Sequence, residues 1–138
     1  MYDKQHKLLP AVGDPQRYQI LRWVHASEGT FALHGLAVLY TRWNQKDGDV
    51  AKTEEGVSRN IKKDMEFLES TLKKSKGKFL FGDQVTAADC MMHFSAVFVI
   101  ARELGVKAGD CPTVEQYIKD CEATESYKKA VEHTGHKL

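Results

Sequence analysis

Proline, cysteine and net charge are all scarce in this 138-residue chain, and each scarcity excludes something. Pro10, Pro15 and Pro112 sit near segment starts, and none falls between Pro15 and Pro112, so that stretch is open to long unbroken helices. Cys90, Cys111 and Cys121 are odd in number and form no CxxC pair. That argues against a disulfide framework and predicts a reducing, cytoplasmic setting. Lys plus Arg is 20 against 19 for Asp plus Glu, a net charge of +1. So balanced a chain has no electrostatic footprint for nucleic acid, and no nucleic-acid partner is expected. No apolar run reaches the ~18–20 residues of a membrane span, so no membrane partner is expected either. Residues 1–7 carry no apolar stretch of the kind a secretory signal needs.

What is present is an ordinary globular mix, 42% apolar and 28% charged, at a length that suits one domain with a real core. Residues 1–14 are polar apart from Leu8-Leu9-Pro10 and read as a lead-in to a helical domain over 15–138. Asp14-Pro15 is a helix start, with Asp as N-cap and Pro at the first helical position. The first helix runs to about residue 44. Its part from 31 to 40 is apolar nearly all round, with His34 the one strongly polar side chain. Gly29 and Gly35 interrupt it, each costing ~1 kcal/mol relative to Ala. Such glycines mark close helix packing, a kink or a ligand's approach.

A polar turn around Asp47-Gly48 leads to a second long helix over 50–75, with Val57, Ile61, Met65, Leu68 and Leu72 on one stripe. The basic run from Lys73 to Lys78 reads as cations at a helix C-terminus followed by a stop. A third helix over 87–104 is apolar from 91 to 101 except for His93 and Ser95, which predicts the central, most buried element. Shorter helices over 113–122 and 124–132 follow, the last with Tyr127, Ala130 and Val131 facing in. There is no sustained period-two pattern, so the fold class is all-α, a bundle of about five helices.

The sharpest local signal is Val85-Thr86-Ala87-Ala88-Asp89-Cys90. Thr86 can accept the N–H of Asp89 while the Asp89 carboxylate reaches back to the N–H of Thr86, an Asp form of the capping box. Val85 and Cys90 then stand at the ends of a hydrophobic staple. The role is structural, because a buried helix start must satisfy its free N–H groups internally.

The same residues carry a resemblance. The stretch from Phe81 to Asp89 resembles the G-x-x-x-[ST]-x-A-D signature that opens the core helix of the C-terminal, all-helical domain of glutathione transferases. Tyr18 to Thr30 is similar to that domain's first helix, especially in fungal-type members. Cys111-Pro112-Thr113 and Glu125-Ser126-Tyr127 resemble the starts of its later helices. The resemblance implies a partner, a thioredoxin-like domain that binds glutathione as co-substrate and activates its thiol. That domain has no counterpart in these residues, so no catalytic residue is carried over. The resemblance also implies detoxification chemistry on a small apolar electrophile, with His25, Glu28, Phe31 and Ala32 lining its pocket, and a possible homodimer. It implies no cofactor of the chain's own.

The remaining polar residues suggest no further chemistry. His25 and His34 stand on opposite sides of one helix at ~100° per residue. His133 and His136 lie near an end, and no His/Cys spacing suits the four convergent ligands of a zinc site. Cys90 feels a helix dipole that lowers a thiol pKa, but burial is expected to outweigh it. Two functions stay open: the helical half of a glutathione transferase, inactive as this chain alone, and a stand-alone, non-catalytic binding module.

Overall fold

The computed structural model describes residues 3–135, which contain no strand, only an isolated bridge between Phe79 and Gly82. Helix α1 (Pro15–Ala26) passes through a π-helical segment (Ser27–Ala32) into α2 (Leu33–Asn44) without a break. Helices α3 (Val50–Lys74), α4 (Ala87–Ala101), α5 (Pro112–Glu122) and α6 (Glu125–Thr134) follow. With residues 15–44 taken as one rod, the bundle has five helices. His136 lies outside the described residues.

The helix starts follow local chemistry. Asp14 accepts the N–H of Gln16 at 2.8 Å, Asp49 that of Lys52 at 2.9 Å, and Thr124 that of Tyr127 at 3.3 Å. The start of α5 is different, because Cys111 at its N-cap offers no side-chain acceptor. Glu69, buried in α3, caps it from outside. Its carboxylate accepts the N–H of Val114 at 2.9 Å and of Thr113 at 3.2 Å, and pairs with Lys73 Nζ at 3.0 Å.

Burial raises the Glu69 carboxyl, but the bonds from Thr113, Val114 and Lys73 outweigh it and hold the group below its ordinary value. A depressed carboxyl stabilises the fold above its unfolded pKa, and that contribution is lost as pH falls through the folded value. Glu69→Ala is expected to cost about 2–3 kcal/mol at neutral pH, since two N–H groups lose their acceptor. Urea denaturation at about pH 7 and about pH 3 should show the gap between native protein and Glu69→Gln narrowing in acid. An unchanged gap would contradict the carboxylate's role.

Helix α4 ends at Ala101, earlier than the expected residue 104. The physical reason is Arg42 in α2. Its guanidinium donates to the carbonyls of Arg102 and Glu103 at 2.7 Å each, and to Glu54 of α3 at 2.6 Å. A fork that satisfies carbonyls past the helix end removes the need for another turn.

The core is built on α4. Ala88, Met92, Ala96 and Val99 are fully buried and join Phe31, Val38, Met65 and Leu68 in one cluster. Gly35 lets α2 approach α4: an added Cβ would lie 3.3 Å from Phe98 and 3.4 Å from Val99 and Leu104. Ser95 Oγ donates at 2.9 Å to the Ser27 carbonyl and ties the π segment to α4.

Helix α4 is central to the core, as its composition predicts, yet Cys90, Phe94 and Ala101 are exposed along one face, with Phe94 at 46%. The stretch 31–40, apolar on more sides than one buried stripe needs, leaves Leu33 and Tyr40 more than half exposed. Helix α6 buries no residue at all; Tyr127 and Val131 are half-buried and Ala130 is exposed. The expectation that Tyr127, Ala130 and Val131 all face in is corrected at Ala130, because α6 packs along one edge only, with Tyr127 against His93.

Candidate functional site

The lead-in residues are built into the structure. The Asp3 carboxylate accepts the N–H groups of Lys7, Leu8 and Leu9, and the Leu8 carbonyl accepts the N–H of Ala87 at 2.9 Å. One of the free donors at the start of α4 is thereby satisfied. Thr86 and Asp89 close a capping box at the same place. Asp89 Oδ2 accepts the N–H of Thr86 at 2.8 Å and the Thr86 hydroxyl at 2.8 Å. Asp89 Oδ1 accepts the N–H of Leu80 at 3.0 Å and the Tyr117 hydroxyl at 3.2 Å. Four donors converge on a carboxylate in a residue 1% exposed. Burial, reinforced by Asp89, pushes the Tyr117 phenol well above its ordinary value, so its hydroxyl keeps the proton that it donates to Asp89. This junction fixes the entry of α4.

The four candidate pocket residues separate into two layers. His25 and Glu28 are exposed, whereas Phe31 and Ala32 are buried at 2% and 7%. The Phe31 ring lies 6.2 Å from that of Trp23, inside the core. The exposed residues of the π segment are therefore Glu28 and Gly29, with Thr30 half-buried, His25 one turn before and the exposed Leu33 one turn after. Leu33 lies in the stretch 31–40, whose apolar excess predicts some exposed surface, whereas Cys90 and Phe94 escape a sequence reading, because an apolar helix gives no sign of which face is left bare.

The other titratable groups hold the helices together. His34 Nδ1 meets Asp64 at 2.6 Å across α2 and α3. His93 is buried, lies 3.4 Å from Glu122, and meets the Tyr127 ring edge-on at 5.0 Å. A cleft of about 260 Å³ opens beside it, lined by Cys90, Cys121 and Tyr127 among others. Burial drives the Cys121 thiol up to about 12 and Cys111 up to about 11. Partial burial and the neighbouring Asp89 also raise Cys90, which is exposed where a small buried residue was expected. None of the three supplies a thiolate near neutral pH. Among the described residues no group of three His, Cys, Asp or Glu could hold a metal ion. No helix among them is long and apolar enough to cross a membrane.

A family model for the glutathione S-transferase C-terminal domain matches residues 32–133. No curated protein matches the chain. A glutathione S-transferase of Actinobacillus pleuropneumoniae superimposes with a TM-score of 0.79 at 23% identity, over 99% of this chain and 59% of that one. A glutathione transferase of Methylococcus capsulatus gives 0.72 at 19% identity, over 95% and 60%. BphK, a bacterial glutathione transferase solved as a ternary complex, gives 0.72 at 17% identity, over 96% and 61%. At these identities the likeness is one of fold, and the chain spans about three fifths of the length of each.

Proposed function

Because the chain belongs to the family of glutathione S-transferase C-terminal domains, we propose that it is the helical half of a glutathione transferase and works joined to a thioredoxin-like domain. The observation that carries this is the bare face of α4. A helix this apolar, central to the core yet exposing Cys90, Phe94 and Ala101, has a surface suited to being covered. In this reading the partner domain binds glutathione and lowers its thiol pKa by hydrogen bonding. The chain contributes one wall of the site for a small apolar electrophile, with His25, Glu28 and Gly29 at the surface and Phe31 and Ala32 beneath. Its residues position the electrophile and exclude water; proton handling belongs to the other domain.

A second reading, a binding module that acts without a second domain, has one observation in its favour. Among the described residues no buried side-chain polar atom lacks a partner, so the bundle is internally satisfied.

The test is conjugation of glutathione to 1-chloro-2,4-dinitrobenzene. The chain alone is expected to give no turnover above the uncatalysed rate, because a thiol with no donor keeps a pKa of ~8.5 or above. Fusion to the thioredoxin-like domain of a glutathione transferase is expected to restore turnover well above that domain by itself. Catalysis by the chain alone, or a folded fusion no faster than its thioredoxin-like domain, would overturn the reading.

A further inference from the structure

A π turn is rare and sits in an α-helix as a single-turn bulge. Here it lies at Ser27–Ala32, and the N–H of Leu33 reaches back five residues to the Glu28 carbonyl. The buried faces on either side show what it achieves. At ~100° per residue, a regular helix would turn the α2 face of Gly35, Val38 and Leu39 by ~85° from the α1 face of Ile20 and Trp23. That is close to the rotation of one residue. Ile20, Trp23, Val38 and Leu39 nevertheless share one core. The π segment therefore takes up one surplus residue. Gly29 is the residue there that packs on nothing: it is exposed, and an added Cβ would meet nothing within 4 Å. Two serines, both fully buried, bear on the start of the segment. Ser27 Oγ donates to the Val24 carbonyl at 2.7 Å, a bond within the helix that favours bending. Ser95 Oγ donates from α4 to the Ser27 carbonyl at 2.9 Å. Irregular helix geometry has an identifiable cause, such as a π turn or a side chain reaching into the ladder, and here the two coincide.

We propose that the π segment is a register device: it stores Gly29 as a surplus residue, and the bond from Ser95 latches that surplus at Ser27–Ala32. With the latch open, the segment exchanges between π and regular bonding while α3 keeps its place. The device is complete within this chain and needs no second domain.

Two measurements on the full chain test it. Deletion of Gly29 removes the surplus and restores a continuous α-helix, so the chain should fold with a thermal midpoint less than ~10 °C below the native one. Deletion of the exposed Lys63 is the comparison. It lies in regular α3, and its loss turns the buried Met65, Leu68 and Leu72 by ~100° from Ile61, so it should lower the midpoint further or abolish the transition. A Gly29 deletion that costs ~10 °C or more would overturn the stored surplus. A Lys63 deletion as mild as that of Gly29 would show that the bundle absorbs any deletion, and would overturn it too. Hydrogen exchange tests the latch. Ser95→Ala should speed exchange at the amides of Ala32 and Leu33 by about tenfold and leave those of α3 unchanged. Made in the Gly29 deletion, where no surplus remains to latch, the same substitution should change them by less than about twofold. Unchanged exchange at Ala32 and Leu33, or equal acceleration with and without Gly29, would overturn the latch. Protection lost evenly across the bundle, or a Ser95→Ala chain that does not fold, would make Ser95 an ordinary core tie and overturn it as well.

Discussion

Asp89→Ala is expected to cost the fold about 4 kcal/mol or more, a large share of the ~5–15 kcal/mol that holds a domain together. The carboxylate accepts from Thr86 N–H, Thr86 hydroxyl, Leu80 N–H and Tyr117 hydroxyl, all at a site water does not reach. Alanine leaves those donors without their acceptor, at about 1–3 kcal/mol for each one left unsatisfied. The sum is not additive, because they share one acceptor and relax together. Asp89→Asn should be milder. Its amide oxygen can still serve one pair of donors, but its NH2 group would face the other. Thr86→Ala removes only a hydroxyl and should cost about 0.5–2 kcal/mol. Chemical denaturation should rank the three in that order. A midpoint for Asp89→Ala equal to the native one would contradict the anchoring role.

Gly105→Ala should follow closely, at about 3 kcal/mol, from two causes acting together. The residue has φ +80°, and its new Cβ would lie 2.8 Å from Ile61 Cγ2 and 2.9 Å from Ser58 Cβ. Ile61 and Ser58 are buried in α3, so neither can move aside freely. Gly82 separates the causes: its φ is +110°, but an added Cβ meets nothing within 4 Å. Gly82→Ala therefore carries the backbone strain without the collision and should cost less. Equal midpoints for the two variants would mean that the contact with α3 is absent.

Features governed by local rules were legible in the sequence. Helix starts at Asp14 and Thr86, the stripe on α3 and the end of α3 depend on residues within a few positions of one another, and they appear where periodicity and capping put them. What escaped depends on distant partners. Glu69 caps a helix that begins more than forty residues later, and Arg42 reaches carbonyls sixty residues on. Neither leaves a mark at its own position beyond a charged residue on an amphipathic helix. The π segment left only Gly29 as a trace, since Ser-Glu-Gly-Thr-Phe-Ala suits an ordinary helix as well. The layering of the candidate pocket residues was not legible in the sequence either. Which of His25, Glu28, Phe31 and Ala32 face outward depends on the π turn and on the packing of α4 against it. The bare face of α4 was illegible for a different reason. A helix apolar all round gives the same pattern whether its last face is covered by its own chain or by another domain.

That face is also where the account is most directly testable. Cys90 is the exposed cysteine, on the same side of α4 as Phe94, while Cys111 and Cys121 are buried. Iodoacetamide at about pH 9, where a raised thiol still ionises in part, should therefore label the isolated folded chain at Cys90 alone. Joined to a thioredoxin-like domain, the chain should label at Cys90 about tenfold more slowly, the residual rate reflecting transient opening of the interface. Cys90 labelling as fast in a folded, conjugating fusion as in the chain alone would contradict the claim that this face is the seat of the second domain.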